Sequence, residues 1–110
     1  MFQAVLRVVA PHEMRGEFID VFWGLTGPTA CVRGCRGCRV FREVEDGDAI
    51  TYWMQWDSRD ALDEHFRSER FRRLLPYIEM STEPPEVEVT RVERLGGIEM
   101  VLTAINSRLS

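Results

Sequence analysis

The stretch "GCRGCRVFREVEDGDAITYWMQWDSRDALDEHFRSERFRRLLP", residues 34–76, decides the fold. From about Gly37 to Val44 it reads as a strand. "EDGD" at 45–48 is a turn, and Asp46-Gly47 is the strongest hairpin dipeptide in the chain. Residues 49–57, AITYWMQWD, form the return strand. Strand alternation puts Ile50, Tyr52, Met54 and Trp56 on one face and Trp53 and Gln55 on the other. One face should meet the helices and the other a partner subunit; the pattern alone does not say which. Asp57 and Ser58 are both good N-caps, so Arg59–Phe66 reads as helix. Ser68 can restart it. Phe71, Leu74, Leu75 and Ile78 then make a second apolar stripe, with Pro76 bending or ending that helix.

Working outward, residues 3–10, QAVLRVVA, predict a first strand that ends at Pro11. Over 11–25 the period changes: Met14, Phe18, Val21, Phe22 and Leu25 recur at helical spacing, and Gly24, Gly27 and Pro28 end the helix. Beyond the central stretch, 81–86 is a connector and 87–95, VEVTRVERL, alternates as a strand. Gly96-Gly97 breaks it. Residues 98–105, IEMVLTAI, are apolar enough for one more strand, and 106–110 form a frayed tail. The order β-α-β-β-α-β plus an extra C-terminal strand predicts an α+β, ferredoxin-like split βαβ subunit. Residues 1–95 form the domain, and 96–110 its C-terminal strand and tail or part of a dimer interface. Both faces of the first strand carry apolar residues, Leu6 and Val8 against Val5 and Val9. Helices on one side only would leave an apolar face wet, which dimerisation resolves.

The bulk numbers narrow the function classes. A chain of 110 residues with 45% hydrophobic and 29% charged residues is an ordinary single globular domain. A net charge of −4 argues against a nucleic-acid partner. No apolar run approaches the roughly 18 residues of a membrane span, and no basic region leads into an apolar stretch at the N-terminus. The expected location is the cytoplasm, where thiols stay reduced.

All three cysteines lie in "CVRGCRGC", residues 31–38, with the spacing C-x3-C-x2-C. That spacing holds an iron–sulfur cluster in radical S-adenosylmethionine enzymes, but those need a much larger domain. The CxxC of thiol redox proteins needs a helix N-terminus to lower a thiol pKa, and here it enters a strand. A structural zinc site needs four ligands. Alternation would also put Cys35 and Cys38 on opposite faces. Packing or loop cysteines are the simpler reading, and no metal is expected.

The central stretch resembles the antibiotic biosynthesis monooxygenase domain family. The resemblance rests on Gly34-Cys35 entering the second strand, the Asp46-Gly47 hairpin, Trp56-Asp57-Ser58 at the end of the third strand, Ala61-Leu62 on a capped helix, His65 about two turns on, and Phe71 in the following turn. The order of elements fits over most of residues 1–95. The resemblance implies a dimeric α/β barrel built from two ferredoxin-like sheets. It also implies oxidation of an aromatic phenol or quinol by molecular oxygen with no cofactor, in a pocket between sheet and helices. A related group degrades haem with an Asn, a Trp and a His. This chain has Gln3 and Arg7 on its first strand and its only Asn at 106, so haem degradation fits less well.

Cofactor-free oxygenation needs an aromatic pocket, a base for the phenol, and charge stabilisation for an oxygen-derived anion. His65 is the candidate base, with Trp56 as its catalytic companion. Phe22, Trp23, Tyr52, Phe66 and Phe71 are candidate substrate-binding aromatics, and Arg39, or Arg7, can hold an anion. Each also has a plainer reading. His65 fits a boundary histidine bonded to backbone or water, Trp56 fits a core residue at a strand end, and the Phe18, Val21, Phe22 stripe is first of all core. The competing function is a non-catalytic ligand-binding or dimerisation module of the same fold. The two differ in one requirement: an oxygenase needs an enclosed pocket holding His65 or another polar group beside aromatics, and a sheet–helix space filled with side chains counts against it. No phosphate-binding glycine motif is present, so a dinucleotide is not expected.

Overall fold

The hairpin forms where the turn chemistry places it. In the computed structural model, which describes residues 1–109, β2 spans Cys35–Arg42 and β3 spans Ala49–Trp56. The two run antiparallel with Arg42 opposite Ile50. The turn closes with Ala49 N–H donating to the Asp46 carbonyl and Glu43 N–H donating to the Ala49 carbonyl. β1 (Phe2–Val9) pairs with the other edge of β3, and β4 (Glu86–Arg91) pairs with β1. Four antiparallel strands thus lie in the order β2-β3-β1-β4, the ferredoxin-like α+β arrangement that the element order predicts.

The helices cover one face of this sheet, and β3 shows which. Ile50, Tyr52, Met54 and Trp56 point inward with Ala4, Leu6 and Val8 of β1. They meet Phe18 and Phe22 of α1 (Arg15–Gly24), Leu62 of α3 (Arg59–Arg67) and Leu74, all at most 3% exposed. Trp53 and Gln55 lie on the opposite, helix-free face, half-buried beside Val5 and Arg7.

Several expectations are corrected. β2 starts at Cys35 rather than Gly37 and stops at Arg42 rather than Val44. A bulge between Cys35 and Gly37 sets Cys35 opposite Trp56 and Cys38 opposite Met54. Trp56 and Met54 share the inner face, so Cys35 and Cys38 do too, not opposite faces as simple alternation predicts. The extra residue, Arg36, resets the alternation. The first helix is not continuous from 11. A 3-10 turn, His12–Met14, precedes α1. Gly24 closes α1, but Thr26–Ala30 forms a further short helix, α2, with Pro28 in its first turn, where a missing N–H costs nothing. Ser68 restarts the chain as α4 (Glu69–Arg72), and Pro76 opens α5 (Leu75–Glu79) instead of ending a helix.

The largest correction is at the C-terminus. β4 stops at Arg91, and residues 98–105 are not a strand but part of helix α6 (Ile98–Leu109). A short apolar run does not distinguish the two periods. Ile98, Val101, Leu102 and Ile105 fit helical spacing, and the Glu99 carboxylate accepts from Gly97 N–H at 2.9 Å in the first turn. Asn106–Leu109 continue the helix where a frayed tail was expected, and Ser110 lies outside the described residues. α6 leaves Met100, Val101, Leu102 and Ile105 about half exposed. No helix among the described residues is long and apolar enough to cross a membrane.

Candidate active site

Trp56 is the last residue of β3, and Ser58 sets the direction of the chain after it. The Ser58 hydroxyl accepts from Ala61 N–H at 3.1 Å and caps α3. Two turns on, the helix brings His65 back over the strand end, with imidazole and indole centroids 5.0 Å apart. At Ser68 the helix breaks. The Ser68 hydroxyl donates to the His65 carbonyl at 2.6 Å and accepts from Phe71 N–H at 3.2 Å. The break turns α4 so that Phe71 lies 5.5 Å from His65 and 5.0 Å from Phe66, ring to ring.

His65 is only 1% exposed, and neither ring nitrogen has a hydrogen-bond partner. Burial, and then the nearby Arg70 guanidinium, push its pKa down to about 4, so the imidazole is neutral at physiological pH. The Trp56 indole N–H and Arg70 Nε are buried and unpartnered as well. Buried polar atoms are nearly always paired, so three unpaired groups at one end of the domain are a local anomaly.

A glycine holds the facing wall in place. Gly34 has φ 92°, and a Cβ there would lie 3.0 Å from the Ala61 Cβ. Its carbonyl accepts from Asp57 N–H at 2.8 Å. The loop before β2 therefore lies close to α3, and Val32 and Arg33 face Glu64, Arg67, Ser68 and Arg70 across a cleft of about 570 Å³. His65 reaches the wall of this cleft from the core side. Cys35, the ladder partner of Trp56, is half-buried, and burial raises its thiol pKa, which disfavours a thiolate nucleophile.

The other expected residues are placed elsewhere. Tyr52 and Phe22 lie in the filled interior, edge to face at 5.9 Å. The Tyr52 hydroxyl is 3.4 Å from the buried Thr29 hydroxyl, beside the Cys38 thiol. Burial raises the Tyr52 pKa and pushes Cys38 up to about 11, so both stay protonated. Trp23 is 69% exposed and, with Arg39, lines a separate hollow of about 270 Å³ at the β2 edge. Arg39 stacks over Trp53 at 5.7 Å. Arg7 is occupied by Glu43 at 2.5 Å, with Glu86 and Glu83 beyond. The structure thus brings together Trp56, His65, Phe66 and Phe71 but not Phe22, Trp23, Tyr52 or Arg39. The sequence reading missed Arg33, Arg70 and Thr29. The restart at Ser68, which turns Arg70 back toward His65, was the available signal for Arg70. Among the described residues no three His, Cys, Asp or Glu side chains are grouped to hold a metal.

Fold and site together define a small ferredoxin-like α+β domain with a ligand-sized cleft built on the helix after its central hairpin. The chain belongs to the antibiotic biosynthesis monooxygenase family, whose profile matches residues 1–76. Among solved structures it is similar to a conserved protein from Methanosarcina mazei Go1, with 25% identity and a TM-score of 0.75, covering 84% of this chain and 92% of that one. It is also similar to Rv0793 from Mycobacterium tuberculosis, at 22% identity and TM-score 0.76 over 86% of this chain and 98% of that one. An antibiotic biosynthesis monooxygenase structure aligns at 21% identity and TM-score 0.76 over 86% of this chain and 100% of that one. A search of curated proteins finds no match.

Proposed function

We propose that the protein is a cofactor-independent monooxygenase that oxidises an aromatic phenol or quinol with molecular oxygen at the His65 cleft. The observation that carries this reading is His65 itself, a buried, neutral imidazole with both nitrogens free, set among Trp56, Phe66 and Phe71 on the wall of a cleft of about 570 Å³. That volume is within the usual range for small-molecule sites. The substrate itself is the four-electron reductant: one oxygen atom replaces the hydrogen of a ring C–H, giving a quinone from a phenol or a hydroxyquinone from a quinol, and the other leaves as water with two hydrogens lost by the substrate.

His65 is a hydrogen-bond acceptor before it is a base. Full transfer from a phenol of pKa about 10 to an imidazole of pKa about 4 costs about 8 kcal/mol. The arginines of the cleft lower that cost by stabilising the phenolate, and the phenolate in turn favours imidazolium.

Oxygen uptake with a dihydroanthracene-type phenol or a quinol tests this. Wild-type uptake should exceed that of His65→Ala by roughly a hundredfold or more, with a smaller loss in Trp56→Phe. Equal rates in all three count against it. The non-catalytic module is favoured by one observation, the interior filled by Phe18, Phe22 and Tyr52. Aromatic binding without any oxygen uptake would establish it instead.

We further propose a cytoplasmic homodimer. The helix-free sheet face carries Val5, Trp53 and Phe41, and α6 presents Val101, Leu102 and Ile105 to solvent. Light scattering at micromolar concentration should report twice the 12.8 kDa chain mass; a monomer overturns this.

A further inference from the structure

The charge of the cleft is opposite to that of the protein. The chain carries a net charge of −4, and its basic residues are all arginines. Three of them, Arg33, Arg67 and Arg70, line the cleft, against one acid, Glu64. Glu64 is paired with Arg67 at 3.7 Å. Arg33 and Arg70 enter no ion pair and no hydrogen bond among the described residues, and Arg70 Nε is buried without an acceptor. A buried guanidinium N–H without an acceptor is costly, and nothing within the fold offsets it. Next to it stands His65, only 1% exposed, with both nitrogens unpaired.

We propose that this cleft binds an organic carboxylate, its acid group held by Arg70 and Arg33 and its ring system directed at His65. This deepens the assignment of the His65 cleft as the substrate site and rests on it. A guanidinium presents a planar fork of donors that matches two carboxylate oxygens. A carboxylate there supplies the counter-charge that Arg33 and Arg70 do not find within the fold. A local positive potential on an acidic protein also steers small anions to one place. A polynucleotide would need a basic surface much wider than one cleft.

The test compares 1-hydroxy-2-naphthoate with its neutral isostere 1-hydroxy-2-naphthamide by titration calorimetry on the full chain. The wild type should bind the acid on the order of tenfold tighter than the amide, as expected for charge-assisted bonds. In Arg33→Gln/Arg70→Gln the two affinities should converge to within about twofold, while Arg72→Gln, on α4 but outside the cleft, keeps the preference. If the double variant does not fold, the exposed Arg33→Gln alone should reduce the preference by about threefold. Equal wild-type affinities, or a preference that survives loss of both arginines, overturn the proposal. Oxygen uptake separates this from the oxygenase reading. Acid preference without uptake supports the carboxylate site and refutes the oxygenase, whereas equal turnover of acid and amide refutes the carboxylate site and leaves the oxygenase standing.

Discussion

The two ends of the sheet–helix layer hold similar materials and treat them differently. Around Tyr52, the rings of Phe18, Phe22 and Tyr77 interlock, and the buried hydroxyls of Tyr52 and Thr29 have each other. Around Trp56, the rings of His65, Phe66 and Phe71 also interlock, but His65, the Trp56 indole and Arg70 Nε are left without partners. Packing is good at both ends and polar satisfaction at only one. An unpaired polar group in a well-packed core weakens the fold, and such weakness is retained where a ligand or a reaction makes use of it. The contrast locates the site more sharply than the count of aromatics does.

Four measurements can break or sharpen this contrast. The largest effect belongs to the filled end. Phe18→Ala should lower unfolding stability by about 3–5 kcal/mol, read by denaturant titration. Cavity formation that costs under 1 kcal/mol would show that end to be loose.

Next is the pH dependence of stability at the other end. The folded pKa of His65 is about 4 against 6.5 for the free side chain. Between those values the unfolded state binds a proton that the native state does not, so stability falls as the pH drops. The loss is about 3 kcal/mol from above pH 6.5 to near 4 at about 1.4 kcal/mol per pH unit. His65→Leu should remove this component and, by deleting two unpaired nitrogens, match or exceed wild-type stability at pH 7 while losing oxygen uptake. A His65→Leu protein with an unaltered pH profile would show that His65 does not titrate as described.

Third, Tyr52→Phe is the mirror experiment. It removes a satisfied hydroxyl and leaves the buried Thr29 hydroxyl without that partner, so stability should drop by about 1–2 kcal/mol. If Tyr52→Phe stabilises and His65→Leu destabilises, the contrast is reversed.

The smallest effect is expected at the helix break. Ser68→Ala loses the cap on α4 and should cost about 1 kcal/mol by thermal unfolding. Because Ser68 also donates to the His65 carbonyl, ligand affinity should weaken more than that global loss suggests.

Much of the architecture was legible in residues 34–76. Asp46-Gly47 specifies a tight turn, alternation over 49–57 sorts the strand faces, and Ser58 and Ser68 each cap a helix where local hydrogen bonding predicts. Local patterns failed where two readings fitted the same residues equally well. Residues 98–105 fit either period, and they became a helix beside Gly96-Gly97 rather than a fifth strand. The Cys35–Gly37 bulge, which puts both cysteines on the inner face, leaves no mark in the alternation pattern itself. Likewise, nothing in the order of residues tells that Phe22 and Tyr52 would fill the interior while Phe66 and Phe71 would pack around His65.

The sequence by itself determined the order of the central elements, the hairpin and the sorting of strand residues into two faces, because turns, caps and alternation depend on neighbours a few residues apart. It also supplied Trp56 and His65 as a pair worth watching. Only the tertiary structure decided that His65 is fully buried, neutral and unpartnered, and that Arg33 and Arg70, from opposite sides of the hairpin, face one cleft. Burial, polar satisfaction and local charge are sums over residues distant in the chain, so they take their values only once the sheet and helices have come together.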